Sequence, residues 1–218
     1  MFKKNIRLSG EELEYVDGFA PLGEDKDYPY FNSARGVIPL FGEITELSAN
    51  KFLSDLFLSA EDLVESGEQR PLTVLIDSSG GDISSCVRII AALDSLPEGV
   101  ETRAFIMGEA SSAAFFISLA CGERYMSRWA TLMWHQVVMQ YDGLVITSQK
   151  RSDELKAQYD FHNKTMFSFC EERLAAIGST WSVPLNQTGD VYFSFKDALD
   201  YKLITGPIPK GVLVRGAM

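Results

Sequence analysis

Apolar residues along this chain alternate between short continuous runs and stretches where they recur every three or four positions. Leu72 to Asp77 (LTVLID) and Thr102 to Met107 (TRAFIM) are runs of the first kind, the pattern of strands buried on both faces. Gly36 to Phe41 (GVIPLF) predicts a third strand, with Pro39 marking an edge or an end. Between them, Ser48 to Glu65 sets Phe52, Leu53, Leu56, Phe57, Leu63 and Val64 on one side of a helix. Ser84 to Leu96 predicts a second helix turning Val87, Ile90, Ala91 and Leu93 inward, ended by Pro97 and Gly99. An apolar helix follows from Ser112 to Cys121, and Tyr125-Met126 and Thr131 to Trp134 read as short strands. Strand and helix alternating in this order predict an α/β fold of stacked β-α-β units.

The period then lengthens. Thr147 to Ile177 predicts one polar helix, opened by Thr147 or Ser148 and closed at Gly178. Some thirty residues at 1.5 Å each reach roughly 45 Å, more than a small domain covers, so part of this helix is expected to project. At the other end, Ser9 to Glu12 forms a capping-box pattern, and Glu11 to Asp27 carries seven acidic residues against one lysine. Residues 1–35 therefore read as a mobile segment, either a solvated tail or a partner contact, ahead of one domain over 36–210 and a tail at 211–218.

Composition narrows the function. A chain of 218 residues, 46% hydrophobic, fills one sizeable core. A net charge of -10 repels nucleic acid, and the densest basic cluster is only Lys3, Lys4 and Arg7. Cys86, Cys121 and Cys170 are odd in number and lack CxxC spacing, which argues for a reducing compartment and against a disulfide scaffold or zinc site. Two histidines, His135 and His162, leave little for other metal chemistry. The N-terminus lacks a secretory apolar core, and the longest nearly apolar stretch, Ala110 to Cys121, falls short of the roughly 20 residues that span a bilayer. A soluble, cytoplasmic protein is expected.

Three corners after apolar strands could carry chemistry. Asp77 to Asp82 (DSSGGD) contains paired glycines whose amides could cradle an anion, or it is a plain tight turn. It lacks both GxGxxG and GK[ST], which disfavours nucleotide binding. Gly108 to Ala114 (GEASSAA) places Ser111 and Ser112 at the start of the apolar helix, either as caps or as a rigidly held nucleophile. His135 ends an apolar strand, as a core residue or a base, whereas His162 sits mid-helix among polar neighbours. Asp190, after a turn and before an apolar stretch, is either an orienting carboxylate that burial would oblige to find a partner or a loop cap.

In this order, DSSGGD, GEASSAA, MWHQ and Asp190 followed by Ser194 and YKLITG, the segments resemble the ClpP family, the proteolytic subunits of Clp proteases within the crotonase-like superfamily. The resemblance covers about Gly36 to Ile208. It implies Ser112 as nucleophile, His135 as general base, Asp190 as the carboxylate behind it, and an oxyanion hole from the Gly81 and Ala113 N–H groups. It further implies a "handle" helix over about 140–178, stacked heptameric rings forming a tetradecamer, and an AAA+ unfoldase that spends the ATP and feeds unfolded polypeptide. No cofactor or metal on this chain is implied. Four features depart from the family pattern. Ser79 replaces the proline before the glycine pair, Glu109 and Ser111 crowd the nucleophile segment, Tyr141-Asp142-Gly143 replaces a glycine-rich strand, and the N-terminus lacks the apolar axial loop. Two other readings are a noncatalytic ring subunit, and a CoA-binding hydratase or isomerase using paired amides on an enolate. A membrane-anchored signal-peptide peptidase is disfavoured by the missing apolar span.

Overall fold

The computed structural model describes residues 36–138, 148–184 and 189–210. The segments at 1–35 and 211–218, the first part of the handle and Tyr141-Asp142-Gly143 lie outside the described residues.

The chain runs β1 (Val37–Ile44), α1 (Glu46–Ser66), β2 (Leu72–Gly81), α2 (Ile83–Asp94), β3 (Thr102–Ser111), α3 (Ala113–Ala120), β4 (Glu123–Met126), β5 (Thr131–Trp134), α4 (Gln149–Ala176), β6 (Val191–Phe193), α5 (Phe195–Asp200) and β7 (Gly206–Pro207). Strands β1-β2-β3-β4-β7 form one parallel sheet in that order. β5 lies parallel to β3 beyond the end of β4 and carries β6 antiparallel on its other side. This is the expected α/β class, the stacked β-α-β architecture shared by ClpP and crotonase-like proteins.

The apolar runs become strands, but longer ones than their hydrophobicity marks. β2 continues through the glycine pair to Gly81 and β3 through to Ser111, because hydrogen bonding to neighbours persists after the apolar residues stop. The corner expected at residues 77–82 is therefore the paired end of a strand. Pro39 sits in β1, which among the described residues pairs only with β2, so the missing N–H falls on an edge strand.

Helix faces needed two corrections. In α2 the core side is Cys86, Ile89, Ile90, Ala92 and Leu93, while Val87 and Ala91 face outward. The Asp82 cap fixes where the helix begins and so which stripe meets the sheet. In α1, Phe52, Leu56 and Leu63 are buried, but Phe57 and Val64 stay exposed. Periodicity marked a broader stripe than this chain's own core covers. Thr45 and Ser48 cap α1 reciprocally through side chain and backbone.

The core centres on α3, whose seven residues Ala113 to Leu119 are all buried. Phe115 stacks on Phe193 of β6 at 6.2 Å, and Trp181 meets Phe115, Phe193 and Trp134 edge-on. This aromatic cluster ties the helix after Ser112 to the strands bearing His135 and Asp190. α4 has 28 residues, about 42 Å at 1.5 Å per residue. It opens on Ser148, which caps Arg151 N–H, and ends before Gly178, whose φ of 64° stops a helix without strain. Only Met166, Cys170 and Leu174 are buried, all in its C-terminal half.

Candidate active site

The site is built first at the junction of β3 and α3. β3 ends at Ser111, α3 begins at Ala113, and Ser112 between them has φ 54° and ψ −120°. Such backbone costs a non-glycine residue about 1–3 kcal/mol and holds only where the surroundings impose it. Here they do. Ser112 N–H donates to the Met133 carbonyl at 2.9 Å, and the Ser112 carbonyl accepts from Phe115 N–H at 3.0 Å. The Ser112 side chain makes no capping hydrogen bond to α3, so its hydroxyl is not used as a cap. Its rival differs on each count. Ser111 is buried, lies in the strand, and donates its hydroxyl to Glu109 Oε2 at 2.8 Å. A sharp strand-to-helix turn presenting a free hydroxyl at the N-terminus of an apolar helix is the geometry of a nucleophile elbow.

The glycine pair lies directly against this elbow. A Cβ added to Gly80 would stand 2.7 Å from Ser112 Cβ and 2.9 Å from Ala113 N, so the bare backbone is what allows the approach. Gly80 has φ 94°, a region that favours glycine. A Cβ on Gly81 would collide with the backbone of Ile44. Gly81 pairs with Ile44, whose carbonyl takes the N–H of Asp82 at 2.8 Å. In a parallel ladder that pattern leaves Gly81 N–H out of the β1–β2 pairing. Asp82 then caps α2, accepting from Ser85 N–H at 2.7 Å. Burial opposes its ionised form, but the hydrogen bonds from Ser85 and Ser84 prevail and hold its carboxyl below the usual value. On the other flank, Asp77 Oδ1 accepts Glu109 N–H at 3.1 Å, bracing β2 against β3.

The histidine and aspartate arrive on the neighbouring strands. Ser111 is in register with Met133 across β3 and β5, and Trp134 with Val191 across β5 and β6. β5 ends at Trp134 and β6 begins at Val191, so His135 directly follows one strand and Asp190 directly precedes the other. His135 and Asp190 thus flank the paired ends of β5 and β6, and Ser112 follows β3 on the other side of β5. Among the described residues, no hydrogen bond joins Ser112 to His135 or His135 to Asp190. His135 Nδ1 contacts the Gln136 carbonyl, and Asp190 Oδ2 accepts the Tyr192 hydroxyl at 3.1 Å. Asp190, left open between an orienting carboxylate and a loop cap, is exposed, because β6 is a three-residue strand at the rim of the sheet. Its carboxylate, through that hydrogen bond, raises the Tyr192 phenol above its ordinary value.

A cavity of about 270 Å³ opens beside the histidine, lined by His135, Trp134, Phe116, Val137, Met166 and Phe167 among others. α4 forms one wall, and Asn163 Oδ1 accepts Val137 N–H at 2.9 Å, so the long helix holds the segment after His135 in place. Sequence reading singled out neither Asn163 nor Tyr192. His162 lies edge-on to Phe161 on the same helix. The three cysteines are buried and free, and burial pushes their thiols up, that of Cys121 to about 12, so none offers a thiolate near neutral pH. Among the described residues, no group of three His, Cys, Asp or Glu side chains could hold a metal ion, and no helix is long and apolar enough to cross a membrane.

The fold and this site define a parallel-sheet α/β protein with a serine elbow packed on a glycine-amide turn. The model of the Clp protease family matches residues 25–209, and the chain belongs to that family. No curated protein sequence matches the chain.

Proposed function

We propose that the chain is a serine endopeptidase in which Ser112 is the nucleophile, His135 the general base and Asp190 the carboxylate that stabilises the imidazolium. The observation that carries this reading is the Ser112 elbow: a strained serine whose hydroxyl is uncommitted among the described residues, its Cβ packed against Gly80. Ser112 Oγ attacks the peptide carbonyl as His135 Nε2 takes its proton, and the carbonyl oxygen becomes an oxyanion facing Gly81 and Ala113 N–H. The same imidazolium returns the proton to the leaving amine. Water, deprotonated by His135, then hydrolyses the acyl-enzyme and regenerates Ser112. Each oxyanion donor of this kind is worth about 2.7–4 kcal/mol in the transition state. The largely apolar cavity beside His135 suits an apolar substrate side chain next to the scissile bond.

Family membership supports the wider setting: stacked heptameric rings enclosing a chamber, unfolded polypeptide as substrate, and an AAA+ unfoldase consuming the ATP, in the cytoplasm. A 28-residue α4 that buries three residues against its own chain fits a role between rings. Labelling the assembled protein with a fluorophosphonate tests the chemistry. One adduct on Ser112 is expected, and Ser112→Ala is expected to abolish both the adduct and fluorogenic-peptide hydrolysis, by more than about 10⁴-fold, at unchanged size-exclusion mass.

A noncatalytic ring subunit is the second reading, favoured by Tyr192 occupying Asp190 and Gln136 occupying His135. It predicts assembled rings that neither label nor cleave.

A further inference from the structure

Ser78 of β2 has no part in the chemistry proposed above, although it is 1% exposed and sits three residues before Gly81. A hydroxyl this deep must find partners. Ser78 has two, both backbone groups near the glycine pair. It donates to the Gly42 carbonyl at 2.5 Å and accepts the Gly80 N–H at 3.1 Å.

These bonds lie where the sheet changes register. Phe41 pairs with Asp77 and Glu43 with Gly80, so one residue of β1, Gly42, faces two of β2, Ser78 and Ser79. This is a β-bulge, a device that re-aims the strand beyond it. On the β3 side the ladder slips at the same place, between Ile76 and Ser78. Gly42 itself has φ 70°, so the bulge is shaped on both strands. Without the hydroxyl, the Gly42 carbonyl would lose its donor from Ser78 and the Gly80 N–H its acceptor there.

Resting on the peptidase reading, we infer that Ser78 is a positioning residue for the oxyanion hole. Its hydroxyl holds the Ser79–Gly80 peptide, whose N–H it accepts, and thereby sets where the following Gly80–Gly81 peptide lies and where Gly81 N–H aims. The link to the nucleophile is short, because Gly80 is packed on Ser112 so closely that no methyl group fits between them. A displacement of that peptide by about 1 Å is enough to cost on the order of 100-fold in rate.

Ser78→Ala in the full-length assembly tests this. The rate constant kcat for peptide hydrolysis is expected to fall by about 10- to 100-fold with KM within about twofold. The inhibition constant of a peptide aldehyde, whose adduct places an oxyanion in the hole, should rise by a similar factor. A non-reactive peptide of the same sequence should bind unchanged. A merely structural role would move both inhibitors together or neither, and either result overturns the proposal. A second measurement does not depend on activity. In a Ser112→Ala background, hydrogen exchange at the Gly80 amide should speed up at least about tenfold when Ser78 is also replaced by Ala. Unchanged exchange overturns the positioning role whatever the kinetics show. Failure of the wild-type protein to take a fluorophosphonate on Ser112 would instead sink the peptidase reading, and the exchange result would still decide whether Ser78 holds the turn.

Discussion

The two halves of the candidate site are built to different standards. Around Ser112 the chain leaves nothing loose: β2 and β3 press glycine backbone against the elbow, and Met133 and Phe115 fasten it above and below. Around His135 and Asp190 the strands are four and three residues long, the carboxylate is exposed, and its hydrogen bond goes to Tyr192. The Ser112 elbow and the glycine pair are products of this chain's own core. The acid–base half rests on a sheet rim, with α4 and its Asn163 as the support beside it. Precision in a catalytic site follows how deeply its supports are buried.

The sharpest way to break the contrast is to damage the rigid half. Gly80→Ala should abolish fluorophosphonate labelling of Ser112, because the added methyl meets the serine's Cβ at 2.7 Å in a backbone region that penalises alanine. Labelling at the wild-type rate would mean that the elbow is not held as described. On the looser side, Asp190→Asn should lower kcat for peptide hydrolysis by about 10⁴-fold, while thermal melting stays where it is because the residue is exposed. A loss under tenfold would remove Asp190 from the mechanism.

Tyr192→Phe sharpens the comparison. Releasing Asp190 from the phenol should raise kcat/KM by about two- to fivefold, the scale of one exposed hydrogen bond. A tenfold fall, measured on the same peptide, would make the phenol part of the working arrangement. The smallest effect is expected at Asp82. Losing this helix cap by Asp82→Ala should cost about 1 kcal/mol, a drop of about 2–4 °C in melting temperature at pH 7. Because its folded carboxyl titrates below the ordinary 3.8, the stabilisation is fully present above that value. It is lost as pH falls through the folded value, so the gap between variant and wild type should narrow in melts taken below pH 3.8.

Much of this was readable from the chain. Continuous apolar runs gave β2 and β3 because strands buried on both faces need no polar alternation. The stop signals at Ser148 and Gly178 bounded α4 within a residue or two. Ser112, His135 and Asp190 stood out because each follows an apolar strand or turn, where side chains are held but reachable. What escaped was set by partners distant in sequence. Ser78 looks like any serine before a glycine pair until Gly42, 36 residues away, supplies its acceptor. The exposure of Phe57 and Val64 was equally hidden, since an apolar stripe records affinity for some surface but not which one. The surroundings of Asp190 stay undecided in the sequence because apolar residues follow it, whereas β6 turns only Phe193 fully inward.

The backbone at position 112 carries one last implication. A residue without a side chain would sit there at ease, so the fold by itself favours glycine over serine at that point. Retaining a hydroxyl makes the molecule a little less durable than its own architecture permits. The surrounding packing must keep supplying that difference at all times, which ties the toughness of this core to the residue it holds under strain.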